Sequence, residues 1–437
     1  LASQTGGFFI LFINDVINGK EAVMKDERVI FHVDVNSAFL SWTSVERLAH
    51  GESDLREIPA VIGGDVKKRH GVVLAKSIPA KAFGIHTGEP LTDAVRKCPD
   101  LISVPPDFQV YQRNSRAFKA ICREYATAVQ DFSIDECFLD VTQTTAFDHP
   151  LAAANEIKSR IKNELGFTVN VGIGPNKLLA KMAGDFEKPD KIHTLWRREI
   201  PAKMWPLDVG RLLSVGKKTS QKLNACGIWK IGDLAHCNLQ GLKKIFGERQ
   251  GAHLYAYANG WDDSPVLAAP REEKGYSVSI TLPKNAETES EAKSVIKKLV
   301  DTVAMRLRSR KKRARRISVQ IRYASFKDRS HQITLEEATD ITKTIERAAY
   351  QLFDELWDQK TPLRLIGVSL SQIEGHAASQ ISMFDRGTNE RERQIDAAID
   401  AIRKRYGMDI INRGVADEKL PQVGRKYRAH FEIDRKK

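Results

Sequence analysis

A chain of 437 residues is too long for a single hydrophobic core, and about three domains are expected. With 42% hydrophobic and 29% charged residues, its composition is that of an ordinary soluble globular protein rather than a disordered or fibrous one. The 69 Lys and Arg outnumber the 56 Asp and Glu, and the net charge of +13 favours a polyanionic partner, either nucleic acid or an acidic membrane surface.

The five cysteines (Cys98, Cys122, Cys137, Cys226 and Cys237) are odd in number and have no C-x-x-C spacing. They imply neither a zinc site nor a disulfide framework and fit a reducing, cytoplasmic setting. Residues 1–24 stand apart as an N-terminal extension. Its run Phe8-Phe9-Ile10-Leu11-Phe12-Ile13 is too short to span a bilayer, and no basic segment precedes it. Met24 would be a natural start. The extension then reads as an upstream addition, or else as an extra strand or partner-binding tail.

From Arg28 to Val35 the residues alternate, with Phe31, Val33 and Val35 on one face and His32, Asp34 and Asn36 on the other. The pattern predicts a half-buried strand with a carboxylate on its open side. Ser37 opens a helix over 39–50. Short strands follow at 58–62 and 71–75, and a helix at 107–125 turns Phe108, Tyr111, Phe118 and Ile121 inward. Residues 129–141 read as a hairpin with Asp135 and Glu136 near its turn, followed by a helix at 151–165, a strand at 167–173 and a helix at 176–186. This order predicts an α+β sheet with helices on one face, in the ferredoxin-like style. Short helices broken by glycine run to Gly260. A linker and a second α+β unit come next, with strands near 276–282, 316–323 and 364–372 and helices near 288–309 and 339–357. A polar tail starts at Glu374, and residues 391–406 form an amphipathic helix with no assigned role.

Two adjacent strands would bring Asp34, Asp135 and Glu136 together at about 5 Å spacing. Clustered carboxylates repel unless cations neutralise them, and hard oxygen donors suit a magnesium pair. Spacing alone leaves a second reading open, in which Asp135-Glu136 is simply a solvated turn.

The wording around these residues goes further. Phe31-His32-Val33-Asp34-Val35-Asn36-Ser37-Ala38-Phe39 and Phe132-Ser133-Ile134-Asp135-Glu136-Cys137-Phe138-Leu139-Asp140 resemble the two metal-binding motifs of the Y-family, or lesion-bypass, DNA polymerases, the bacterial polymerase IV type in particular. The resemblance runs from about Val29 to Ile373. It implies an α+β multidomain right-hand polymerase. The palm is a ferredoxin-like sheet at 25–37 and 104–198, the small fingers are 38–103, and the helical thumb is 199–265. Residues 266–274 form a linker, 275–375 an α+β little finger, and 376–437 a tail.

By the same resemblance, Asp34, Asp135 and Glu136 are catalytic and hold two Mg²⁺ ions, with the Val35 carbonyl as a further ligand. One ion would activate the primer hydroxyl and the other would stabilise the leaving pyrophosphate. Phe39 is implied to be the steric gate, whose flat ring leaves no room for a 2′-hydroxyl, with Ala38 beside it in the nucleotide pocket. Many relatives carry Tyr and, three places on, Arg in the fingers segment that meets the triphosphate. Ile78 and Lys81 stand there in this chain, keeping the charge but not the phenol or the bidentate fork. Lys188, before Pro189, is the implied triphosphate lysine of the third palm motif.

Leu213-Ser214-Val215-Gly216-Lys217-Lys218 resembles a helix-hairpin-helix that presents backbone N–H groups and lysines to DNA phosphate, with Ser214 in the place of the usual first glycine. The densest charge, Arg306 to Arg316 with Arg310, Lys311, Arg313 and Arg315, is expected to track template and primer backbones. Gln380-Ile381-Ser382-Met383-Phe384 resembles a sliding-clamp-binding motif, with Gln380, Met383 and Phe384 as anchors. The expected partners are therefore primer-template DNA, deoxynucleoside triphosphates and a sliding clamp, with no membrane, for a monomeric low-fidelity translesion polymerase. Two rivals are a nucleotidyl cyclase, which the basic segments argue against, and a catalytically silent clamp-tethered scaffold, which the three retained carboxylates argue against.

Overall fold

A computed structural model describes residues 28–64, 71–269, 272–375, 386–407 and 410–411. The chain divides into two compact units, Leu1–Ala38 with Arg113–Pro270 and Phe39–Gln112 with Arg271–Lys437.

The first unit is built on a five-stranded sheet. Its spatial order is Ala128–Asp131, Glu136–Asp140, Ile30–Val35, Val169–Gly174, Ile192–Thr194. Ile30–Val35 pairs antiparallel with both neighbours, and only the last pair is parallel. The expected half-open central strand is in fact buried along its whole length. The reason is the helix Lys177–Gly184, which lies across the His32 face. Gly172, opposite His32 in register, permits this contact, because a Cβ there would run into the Ala180 carbonyl and the Gly184 amide.

Asn176 caps that helix, accepting from the Leu179 amide at 2.8 Å, and its Nδ2 donates to the Gly260 carbonyl at 2.9 Å. The helices Lys217–Ala225, Ile231–Ala235, Leu239–Phe246 and Glu248–Ala258 bury Leu223, Ile231, Leu242 and Leu254 in one core with Leu178, Leu179 and Met182.

The second unit holds two sheets. The smaller orders Val73–Lys76, Ala60–Gly63, Ile102–Val104, with the short helices Ile78–Ala82 and Leu91–Lys97 over Val61, Val73, Ala80 and Leu91. The larger is antiparallel, in the order Asp328–Thr339, Lys312–Tyr323, Leu363–Gly375, Gly275–Ala286, with Glu289–Ser309 and Thr342–Leu356 closing its core. Asp328–Thr339 is an unanticipated strand. It is an edge strand whose first five residues are polar and exposed, and its apolar alternation is confined to Ile333 and Leu335, which pack against the core.

The C-terminal helix is Arg386–Tyr406, and its charged side faces inward. Arg308 bridges Asp396 at 3.2 Å and Asp400 at 2.7 Å, and Arg403 reaches Asp301 at 2.8 Å. Among the described residues, no helix is long and apolar enough to cross a membrane.

Candidate active site

Asp34 and Glu136 are direct cross-strand partners on the two central strands of the first unit. Asp34 is almost wholly buried, and Lys188 is ion-paired to it. Burial raises the Asp34 carboxyl above its ordinary value, only partly offset by Lys188. Burial also pushes Glu136 upward, but His32 and Lys181 outweigh it and hold this carboxyl at about 2. Lys181 Nζ lies 2.9 Å from Glu136 Oε2, and His32 Nε2 lies 3.5 Å from the same oxygen. Lys188 is raised above the ordinary lysine value, because Asp34 and Asp185 overcome the effect of burial.

Asp135 is placed differently. Its main-chain carbonyl accepts from the Val35 amide at 3.0 Å, which keeps it at the strand end beside the pair. Its side chain, however, accepts from Ser133 Oγ at 2.6 Å. The loop itself is anchored from behind by Ser115, which donates to the Ile134 carbonyl, and by Lys119, which donates to the Ser133 carbonyl at 2.6 Å. Among the described residues no three His, Cys, Asp or Glu side chains form a ready metal cage. The donor chemistry nonetheless fits a hard divalent cation. Asp34 and Glu136 offer anionic oxygen, and the compensating charges are the ammonium groups of Lys181 and Lys188.

His32 and Lys181 were not singled out as site residues from the sequence. The i+4 spacing of Lys177 and Lys181 reads as a solvated helix face. Only the close approach at Gly172 turns Lys181 onto the sheet.

The other expected residues are divided between the two units. In the second unit, half-buried Phe39 stacks on Tyr111 with ring centroids 4.4 Å apart and an 11° interplanar angle. Phe108 meets Phe39 edge-on at 6.0 Å, and Thr43 Oγ1 donates to the Phe39 carbonyl at 2.7 Å. Ala38 is buried at the start of the same helix, Ala38–Ala49. Ile78 is 62% exposed, and Lys81 is exposed on the short helix that Ser77 caps. Lys76 is the unforeseen neighbour there: burial, then the charge of Lys81, lowers its ammonium below the ordinary value.

In the first unit, Gly216 precedes the helix that carries exposed Lys217 and Lys218. Ser214, with φ 72, occupies the left-handed backbone that favours glycine. In the larger sheet of the second unit, Arg310 and Lys311 are exposed at a turn. Arg313 faces Asp340 at 3.9 Å, and Arg315 donates to the Glu336 carbonyl at 2.6 Å. The face of that sheet away from its core is paved with small polar groups. Ser369 pairs with Ser277 and Ser318, and Gly367 with Ser279 and Gln320. Gln380, Met383 and Phe384 lie outside the described residues, as does the N-terminal extension.

Three family models match the chain. They are the impB/mucB/samB family over residues 33–185, a thumb domain described for DNA polymerase iota over 211–262, and the impB/mucB/samB family C-terminal domain over 273–383. The chain is 46% identical over 393 residues to DNA polymerase IV of Clostridium acetobutylicum, covering 90% of this chain and 99% of that protein. It is 36% identical over 415 residues to DNA polymerase IV 1 of Bacillus subtilis, covering 94% and 99%. A solved Y-family DNA polymerase chimera shares the fold with a TM-score of 0.70 at 24% identity, covering 79% of this chain and 99% of that one.

Proposed function

This chain belongs to the impB/mucB/samB family of Y-family DNA polymerases, and from that premise we propose that it is a low-fidelity polymerase that copies damaged template by two-Mg²⁺ nucleotidyl transfer. The observation that carries the chemistry is the register pairing of Asp34 with Glu136, each facing its own lysine.

In this reading Asp34, Glu136 and Asp135, with the Val35 carbonyl, would hold the metals. When bound, they would supply Lewis acidity for the primer hydroxyl and for the leaving pyrophosphate. The protein's own groups do the rest. His32 and Lys181 keep Glu136 ionised, so it is always an acceptor at neutral pH. Lys188 exchanges Asp34 for a triphosphate oxygen when nucleotide enters, and Lys81 contributes charge from the fingers. Phe39, stacked on Tyr111 and met edge-on by Phe108, is the wall against a 2′-hydroxyl. No side chain is assigned as general base.

DNA is gripped without base readout. Gly216, Lys217 and Lys218 meet phosphate from the thumb, and Arg310 and Lys311 meet it from the little finger. The serine- and glycine-lined sheet face suits close approach of a sugar–phosphate backbone. Arg313 and Arg315 contribute after leaving their local partners. Gln380, Met383 and Phe384 anchor a sliding clamp.

The reading is tested by primer extension across a template containing a single abasic site. Continued synthesis past the lesion in Mg²⁺ is expected. A full stop one base before it, with normal copying of undamaged template, would reject the bypass assignment and leave an ordinary polymerase.

A further inference from the structure

We infer that Asn36 and Asn170 are positioning residues that set where the Lys188 ammonium sits, and that nucleotide affinity depends on them although neither meets the nucleotide. The inference rests on the reading that Lys188 binds the triphosphate. Asn170 stands directly opposite Asp34 in strand register, and Asn36 lies two residues beyond Asp34. Both side chains are buried, at 0% and 8% exposure, and they bond to each other: Asn36 Nδ2 donates to Asn170 Oδ1 at 3.0 Å.

From this pair, bonds reach the chain on both sides of Lys188. Asn170 Nδ2 donates to the Gly184 carbonyl at 3.1 Å and the Glu187 carbonyl at 2.6 Å. Asn170 Oδ1 accepts from the Lys191 amide at 3.3 Å. Asn36 Oδ1 accepts from the Asp190 amide at 2.9 Å and from Thr168 Oγ1 at 3.0 Å. Asp190 is in the left-handed region at φ 61, so its amide orientation is held at some cost and needs a fixed acceptor.

A primary amide suits this work because it donates twice and accepts on the other atom. A carboxylate would lose the bonds to the Gly184 and Glu187 carbonyls, and an alkyl side chain would lose all of them. Because the pair is buried, water cannot readily replace a lost bond, and the segment must shift to find new partners. Lys188 is carried by that segment. The strands that fix Asp34 therefore also fix the cation set against it.

The test is a double-mutant cycle on nucleotide KM in single-nucleotide insertion, with primer-template Kd and melting temperature measured alongside. Asn170→Ala and Asn36→Ala are each expected to raise KM for deoxynucleotide about tenfold, leave DNA affinity unchanged, and add nothing further in a Lys188→Ala background. An equal penalty with and without Lys188 would overturn the inference, because the amides would then act elsewhere. An unchanged KM in both Asn variants beside a defective Lys188→Ala would also overturn it, while leaving the Lys188 reading intact. An unchanged KM in Lys188→Ala itself would remove that reading first. If Asn170→Ala fails to fold, Asn36→Ala decides, since it leaves the Asn170 bonds to the Gly184 and Glu187 carbonyls in place.

Discussion

Replacing Lys181 by methionine keeps the side chain's apolar stem and removes its charge. Lys181 Nζ lies 2.9 Å from Glu136 Oε2, with the two side chains only 12% and 19% exposed. At an effective dielectric of about 20, that attraction is about 5 to 6 kcal/mol. Burying two ions cancels the greater part of it, and His32 remains on the other side, so the net loss is about 2 kcal/mol. Spread over a unit of this size, that lowers the melting temperature by about 4 to 8 °C in EDTA at pH 7.

Added Mg²⁺ is expected to recover more stability in Lys181→Met than in wild type, because no ammonium has to be displaced from Glu136. The acid limb moves too. Glu136 has an ordinary value of 4.5 and is held at about 2 in the fold. Its stabilisation is therefore complete above about pH 4.5 and lost as pH falls toward 2. Without Lys181 the folded-state value rises, so less of that stabilisation remains and acid denaturation begins at higher pH. Equal melting temperatures in EDTA, or an equal Mg²⁺ gain in both proteins, would refute the reasoning.

Gly172→Ala drives a Cβ into the main chain of the helix above it, where nothing flexible can yield, and is expected to cost about 3 kcal/mol or more, read by denaturant titration. Phe39→Ala is expected to weaken discrimination against ribonucleotides by about ten- to a hundredfold in single-nucleotide insertion, and an unchanged sugar preference would remove the gate assignment. Met383→Ala with Phe384→Ala is expected to weaken sliding-clamp binding at least about tenfold while leaving clamp-free synthesis untouched; retained clamp affinity would contradict the assignment.

Much of the framework was legible because local pattern and tertiary outcome agree. Alternation over 28–35 gave a strand, observed as Ile30–Val35, and the helix expected over 107–125 is Phe108–Arg123. What was not legible depends on contacts between distant segments. The polar face of the central strand reads as open to solvent, and it is closed because Gly172 and Gly184 let a helix sit flat on it. His32 and Lys181 become partners of Glu136 only through that approach, 45 residues apart for the lysine and its carboxylate. Residues 391–406 read as an amphipathic helix with no assigned role, and its buried members are Asp396 and Arg403, which pair with Arg308 and Asp301 on the neighbouring helix. The bond from Ser133 to the Asp135 side chain is likewise not legible from spacing.

The role proposed for Asp34, Asp135 and Glu136 is to carry Mg²⁺-dependent nucleotidyl transfer together. It is tested most directly by primer extension with Asp34→Ala, Asp135→Ala and Glu136→Ala, each first confirmed to bind primer-template as wild type does. Wild type is expected to show Mg²⁺-dependent extension, and each variant a loss of at least about a thousandfold. Extension that survives in Glu136→Ala or Asp34→Ala would contradict it, and so would wild-type protein that binds DNA but never extends it.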